Sequence, residues 1–350
     1  MERWIDQNEL GVRIGMVVPA YFSAKPSDDL VRHLLYMTLA DCHHYLPLEH
    51  IVVVVDGDAR TARLAEELRQ HLAGRHGRTF RLMPLAENHG KLWAMQEGIK
   101  ALLSERPDIE YIAIRDGDGD HVASDLPRLA RAARFLAEAY AGTRLIIIGA
   151  RRSRHRPMGW LRGELEMLLD RITLDALVYA LALQGRALNL RHCLGEGVPD
   201  LSSGYKMYGR EAAELLFRDA QPRYEGLTPY DYWHYGPETM TIVEAVLQDT
   251  VLAELPRLTW DGQPATSFGE FRLVSLYGEL LAWVFCRLAI SPVVAAQMYD
   301  NHVPSLALRT TAQGQEMLTT LRAFVLEKLC RQRGEAASSI PEPKPMLPFL

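Results

Sequence analysis

Three aspartates, Asp116, Asp118 and Asp120, stand two residues apart in "YIAIRDGDGDH" (111–121), separated only by glycines. Glycine lets the backbone fold tightly enough to bring such side chains together. Clustered carboxylates repel one another unless a cation or hydrogen-bond donors offset them. A calcium loop of the EF-hand type also opens with acids at positions one, three and five, but it then requires Gly at six and Glu at twelve. Here those positions hold His121 and Pro127, which excludes it. Two readings remain. One is a solvated turn closing a strand; the other is a divalent metal site, whose hard oxygens suit Mg2+ or Mn2+ and leave positions open for phosphate oxygens. The motif and its position together favour the metal.

The elements around the trio say where it sits. "RIGMVVPAY", "HIVVVVD", "TFRLMPL", "YIAIRD" and "RLIIIGAR" are apolar runs of strand length, and stretches with helical spacing separate them. Strict alternation with short links predicts an α/β fold with a mostly parallel sheet flanked by helices. In such sheets ligands lie beyond the carboxyl ends of the strands. Asp56 closes the second strand and Asp116 the fourth, so both belong to that edge. From Gly159 to Gly185 one or two helices are expected. A short strand and helix follow within "PDLSSGYKMYGREAAELLF", then a loop rich in Tyr, Pro and Gly, a helix from Glu238 and a last strand "TVLAELPRL". Residues 271–333 read as a helical appendage, and 334–350, with four prolines, as an extended or disordered tail.

The 350 residues suffice for one elaborated domain or two closely packed ones. A net charge of −5 offers no basic surface, so nucleic acid is not an expected partner. The four cysteines are far apart, without a CxxC pair, which suits neither a disulfide framework nor a zinc site and fits a reducing cytoplasm. The apolar stretch from Leu280 is broken by Arg287 and Pro292, short of the roughly 20 residues of a membrane span. The expected location is therefore cytoplasmic, with peripheral contact at the inner face of a membrane compatible.

From about Ile14 to Pro256 the sequence resembles the GT-A (Rossmann-like) glycosyltransferases of family 2, and within them the polyprenyl-phosphate (dolichol-phosphate mannose synthase-like) enzymes. The likeness rests on "GMVVPAY", "VVVVDGD", "NHGKLWAMQEGI", "RDGDGD", "GARR" after the fifth strand, "DLSSGYKMYGR" from Asp200, and Glu238 followed by "VLAELP". The resemblance implies one domain over 1–270, with a nucleotide-sugar half (about 12–150) and an acceptor half (151–270). It implies a metal-dependent inverting transfer from a nucleoside-diphosphate sugar to an acceptor hydroxyl or phosphate on a small molecule, glycan or lipid. Pro19, Ala20, Tyr21, Asp56, Lys91 and Asp116 would hold the donor; Asp116, Asp118 and Asp120 would hold Mg2+ or Mn2+. Arg151, Ser203, Gly204 and Lys206 would border the acceptor, and Asp118 and Glu238 would be catalytic. The stretch "RLTWDGQPATSFGEF" lacks the Ser-Lys those enzymes carry after this strand.

Each assignment has a plainer counterpart. Asp120 could cap the helix starting near Ser124, and Asp56 could be a turn residue. Lys91, with His89 beside it, stands where helix amides favour an anion, yet a lysine there can be merely solvated. Glu238 could be a general base or only an acid suited to a helix start. Asp58 reads as a helix cap. Tyr230, Trp233 and His234 read as lid lining. Two other functions use a similar scaffold. A sugar-phosphate nucleotidyltransferase would need a glycine-rich basic loop that "PAYFSAKPSDD" lacks. A non-catalytic nucleotide-sugar-binding protein would not need the intact acids.

Overall fold

The computed structural model describes residues 7–193, 197–259, 272–336 and 340–343. In chain order, α1 (Gln7–Gly11) precedes β1 (Ile14–Ala20), and α2 (Asp28–Leu39) leads to β2 (Ile51–Val55). α3 (Ala59–His76) leads to β3 (Arg81–Pro84), α4 (Lys91–Glu105) to β4 (Tyr111–Ile114), and α5 (Leu126–Tyr140) to β5 (Leu145–Arg151). Then come α6 (His155–Met158), α7 (Trp160–Leu183), β6 (Lys206–Gly209), α8 (Arg210–Ala213), α9 (Pro229–His234), α10 (Pro237–Leu247) and β7 (Val251–Arg257). α11 (Leu273–Arg287), α12 (Pro292–His302) and α13 (Ala312–Arg333) close the chain's described order.

The seven strands form one sheet in the order β3-β2-β1-β4-β6-β5-β7. All neighbours are parallel except β6, which is antiparallel to both β4 and β5. β1 and β2 are buried along their whole length. Successive strand residues point to opposite faces, and the cores show it. Val52 and Val54 join one apolar cluster with α4, α7 and α10, while Val53 and Val55 join the other with α2, α3 and α5. The C-terminal helices belong to the first cluster: Trp283 of α11, Ala295 of α12 and Leu321 of α13 pack in it with Val54 and Ile148.

Local chemistry sets the starts of the helices. Ser27 accepts from Leu30 N at 3.3 Å to open α2, and Asp58 accepts from Arg60 N and Thr61 N to open α3, as its cap reading predicts. The aromatic stretch expected as a loop contains α9: Thr228 Oγ1 accepts from Asp231 N at 3.0 Å, and Pro229 takes the first helical position, where its missing N–H costs nothing. The junction at 270/271 and most of the tail lie outside the described residues. Within the tail, Ile340 packs against the core and Pro341 O accepts from Arg322 Nη2 at 2.8 Å.

Candidate active site

A cavity of about 1280 Å³ runs along the carboxyl edge of the sheet. At one end lie Pro19, Ala20 and Tyr21 beyond β1, Asp56 beyond β2, and Asp116, Asp118 and Asp120 beyond β4. At the other lie Arg151 at the end of β5 and Arg257 at the end of β7.

The acidic loop is tied down from below. Arg115, fully buried, donates to Thr38 O at 2.8 Å and to His121 O, which closes the loop onto α2. Gly119 has φ of +81°, and a Cβ on Gly117 would press Ala20, so both glycines are required by the turn. Asp116 N donates to His121 Nδ1 at 3.1 Å. That nitrogen is therefore bare and the ring carries its hydrogen on Nε2, which lies 3.2 Å from Asp120 Oδ1. Burial, with Arg257 and Arg115 nearby, holds the His121 imidazole well below its ordinary range, in keeping with a neutral ring; it stacks on Tyr205. His121 thus stands against Asp120. Its place inside the acidic stretch is the only signal in the sequence that could have marked it.

Burial and the neighbouring Asp120 and Asp116 raise the Asp118 carboxyl well above the carboxylate range, and burial and Asp116 raise Asp120. Asp120 Oδ1 is buried and accepts no hydrogen bond, the His121 Nε2 approach at 3.2 Å being a close contact only. Hard oxygens crowded to mutual repulsion are the donors a divalent cation would satisfy, so Asp118 and Asp120 fit Mg2+ or Mn2+. The expectation of three carboxylates on one ion is not met. Among the described residues no three His, Cys, Asp or Glu groups converge as a metal cluster, and Asp116 Oδ1 instead meets Lys91 Nζ at 2.7 Å. An ion held by these two carboxylates would leave its remaining positions to other oxygen ligands. Asp120 does not cap the helix that follows; α5 has no side-chain cap.

Lys91 opens α4 and bridges the two halves of the chain, with Glu238 Oε1 at 2.6 Å on its other side. Burial alone would lower its ammonium, but Asp116 and Glu238 together raise it. Glu238 follows Pro237 at the start of α10; burial pushes its carboxyl up, and Lys91 and Lys206 more than offset this, bringing it to about 2. Asp56 accepts from His89 N at 2.9 Å and Gly90 N at 2.7 Å, so its carboxylate shapes the turn that delivers Lys91. The lid packs on the same turn. His234 Nε2 lies 2.8 Å from Asn88 Oδ1, Trp233 meets Trp93 edge-on, and a Cβ on Gly90 would lie 2.3 Å from Trp233 O.

On the other side, Arg151 is locked by Asp200 at 2.5 Å and Glu166 at 2.8 Å, yet it still lines the cavity. Gly204 also lines it, its backbone so close that a Cβ would stand 2.8 Å from Asp116 Oδ2. Ser203 and Lys206 do not reach it. Ser203 Oγ donates to Gly149 O at 2.7 Å, and the buried Lys206 ammonium donates to Leu201 O at 3.0 Å and to Ser203 O. Burial lowers that ammonium to about 8. The expectation that Ser203 and Lys206 border an acceptor is corrected: their polar atoms satisfy the backbone around an antiparallel strand inserted between parallel ones. Arg257 does border the cavity. It is 3% exposed, donates to Gly149 O at 3.1 Å and makes no ion pair with a described residue. Its position directly after "E-x-P" was the available signal.

No helix among the described residues is long and apolar enough to cross a membrane. A polyprenol monophosphomannose synthase from Mycolicibacterium smegmatis is 28% identical over 192 residues, which cover 53% of this chain and 60% of that protein. The chain therefore spans less than two thirds of that relative's length. A mannosyltransferase from Pyrobaculum calidifontis, solved with GDP-Man and Mn2+, has a TM-score of 0.48 at 14% identity, over 92% of this chain and 87% of that one. Residues 16–217 match the family described as glycosyl transferase family 2, and they take in β1 to β4, the acidic loop and the Arg151 strand. With more than half of its length so matched, this chain belongs to glycosyl transferase family 2.

Proposed function

We propose that the protein transfers a sugar, with inversion, from a nucleoside-diphosphate sugar to an acceptor phosphate on a lipid, and that the transfer depends on a divalent metal. The observation that carries this reading is a single cavity holding the Asp118–Asp120 pair and Lys91 at one end and Arg151 and Arg257 at the other. Its 1280 Å³ exceeds the roughly 300–1,000 Å³ of a one-ligand pocket, which suits two substrates.

Asp118 and Asp120 would hold Mg2+ or Mn2+, which supplies charge neutralisation for the departing diphosphate. Lys91, at the N-terminus of α4, adds its ammonium and the helix amides to the same phosphates. His121 stands against Asp120, and the lid of Tyr230 and His234 limits water. The acceptor oxygen approaches the anomeric carbon opposite the leaving group, the new C–O bond forming as the bond to the diphosphate breaks. An ionised phosphate needs no base for this step. Glu238, paired with Lys91 and brought to about 2, is a weak base in this arrangement, which supports the phosphate acceptor. The mycobacterial relative's name supports mannose as the sugar and a polyprenyl phosphate as the acceptor. A hydroxyl acceptor is the second reading, and Glu238's place on the cavity wall favours it: once donor phosphates engage Lys91, the carboxylate is released to act as base.

The test is binding and turnover with nucleoside-diphosphate sugars with and without Mn2+. Metal-dependent stabilisation and donor hydrolysis are expected, and Asp118→Asn should lower turnover by about 100-fold or more. No response to any donor, with or without metal, would sink the reading.

A further inference from the structure

The far wall of the cavity is built by α11, which lies outside the part of the chain matched to the family. Ser275, Leu276 and Leu280 line it from that helix and Arg272 from the position just before it, spaced three and four apart so that they share a face. Opposite them, Arg162, Glu166 and Leu169 line it from α7 with the same helical spacing. Both faces grade in the same sense. Leu169 and Leu280 are 3% exposed at the floor, and Arg162 and Arg272 stand at the open end. Arg151 joins the α7 face through Glu166 at 2.8 Å. A phosphate at Arg151 and Arg257 therefore has leucines within reach on two helices.

This wall is held rigidly. Arg287 forks onto Glu244 of α10 at 2.5 and 2.9 Å, and Trp283 donates to Arg223 O at 2.6 Å. Leu280 packs so tightly behind Gly236 that a Cβ there would stand 2.5 Å away. A surface this fixed selects a shape. Leu276 is only half-buried while facing the cavity, so its side chain is offered to a ligand.

We infer that α11 determines acceptor specificity, with Leu276 and the leucine floor of Leu169 and Leu280 receiving the apolar group attached to the acceptor phosphate. The inference rests on the acceptor reading above and adds the residues that would discriminate between acceptors. The probe is geranyl phosphate, titrated calorimetrically against wild type, Leu276→Gln and Leu276→Met, with inorganic phosphate as the headgroup control. Wild type should bind geranyl phosphate more tightly than phosphate. Leu276→Gln should lose about tenfold of that preference, Leu276→Met should restore it, and Mn2+-dependent nucleoside-diphosphate binding should match wild type in both. In turnover, Leu276→Gln should raise KM for the prenyl phosphate with kcat unchanged. Equal geranyl phosphate affinity in wild type and Leu276→Gln, or no preference over phosphate in wild type, overturns the inference. Loss of nucleoside-diphosphate binding in wild type would instead strike the transferase reading itself, so the two failures are distinguishable.

Discussion

Lys91 is the residue on which the site's electrostatics turn, since it faces Asp116 of the acidic loop and Glu238 of α10 at 2.7 and 2.6 Å. Glu238 has its carboxyl below its unfolded value of 4.5, at about 2. A depressed acid stabilises the fold above its unfolded pKa, and that contribution is lost as pH falls through the folded one. The unfolding free energy of wild type should therefore exceed that of Glu238→Gln by up to about 3 kcal/mol at neutral pH. The gap should narrow between pH 4.5 and 2 in urea titrations. A constant gap across that window would show that the pairing is not the cause. At this scale much was legible. The acidic loop was expected at the ligand edge because Asp116 closes a strand, whereas Lys91 and Glu238, from distant parts of the sequence, were assigned to the site through the family resemblance. Lys206 and Ser203 were not legible, because a lysine just after a turn looks the same whether its ammonium meets a ligand or two neighbouring carbonyls.

Among the elements, β6 explains that failure. It enters the sheet antiparallel between β4 and β5, so its first residue, Lys206, comes to the ligand edge with its side chain enclosed. Local patterns of apolar residues specify a strand's existence but not its neighbours or its direction, which long-range packing decides. The five parallel strands before it were readable because buried apolar runs alternate with helices in a short-link pattern that allows few topologies. The lid was misread as a loop for a smaller reason: the Thr228–Pro229 start is a single turn's signal among prolines and glycines that read as turns. The contact between lid and donor turn yields a second prediction. Gly90 has φ of +105° and no room for a Cβ beside Trp233 O. Gly90→Ala should destabilise the fold by about 2 kcal/mol or more. It should also weaken nucleotide binding and alter the fluorescence of Trp93 and Trp233. Unchanged emission would mean that α9 does not rest on this turn.

Taken whole, the molecule does not divide where its sequence changes character. The helices after residue 271 share one apolar cluster with strand residues Val54, Ile112 and Ile148, so the expected appendage packs as part of the body. Ending the chain after Leu258 would uncover the faces of α7 and α10 that α11 and α12 bury. Such a truncation is expected to lose cooperative unfolding, and the full chain to melt in one calorimetric transition. Two separate transitions in the full chain would contradict this.

The antiparallel strand has a consequence of another kind: it is a spacer. With β6 alone between them, the end of β4 and the end of β5 are two strand widths apart, about 10 Å. Asp116 and Arg151 stand beyond those ends, so the gap between them is set by the intervening strand and not by loop length. Gly204 sits just before that strand, with its hydrogen where a methyl would touch Asp116 Oδ2. Gly204→Ala should therefore leave thermal stability within about 1 kcal/mol while lowering sugar transfer, as measured by melting and turnover side by side. The molecule keeps this stretch bare, and one inserted strand sets the spacing between a carboxylate and a guanidinium.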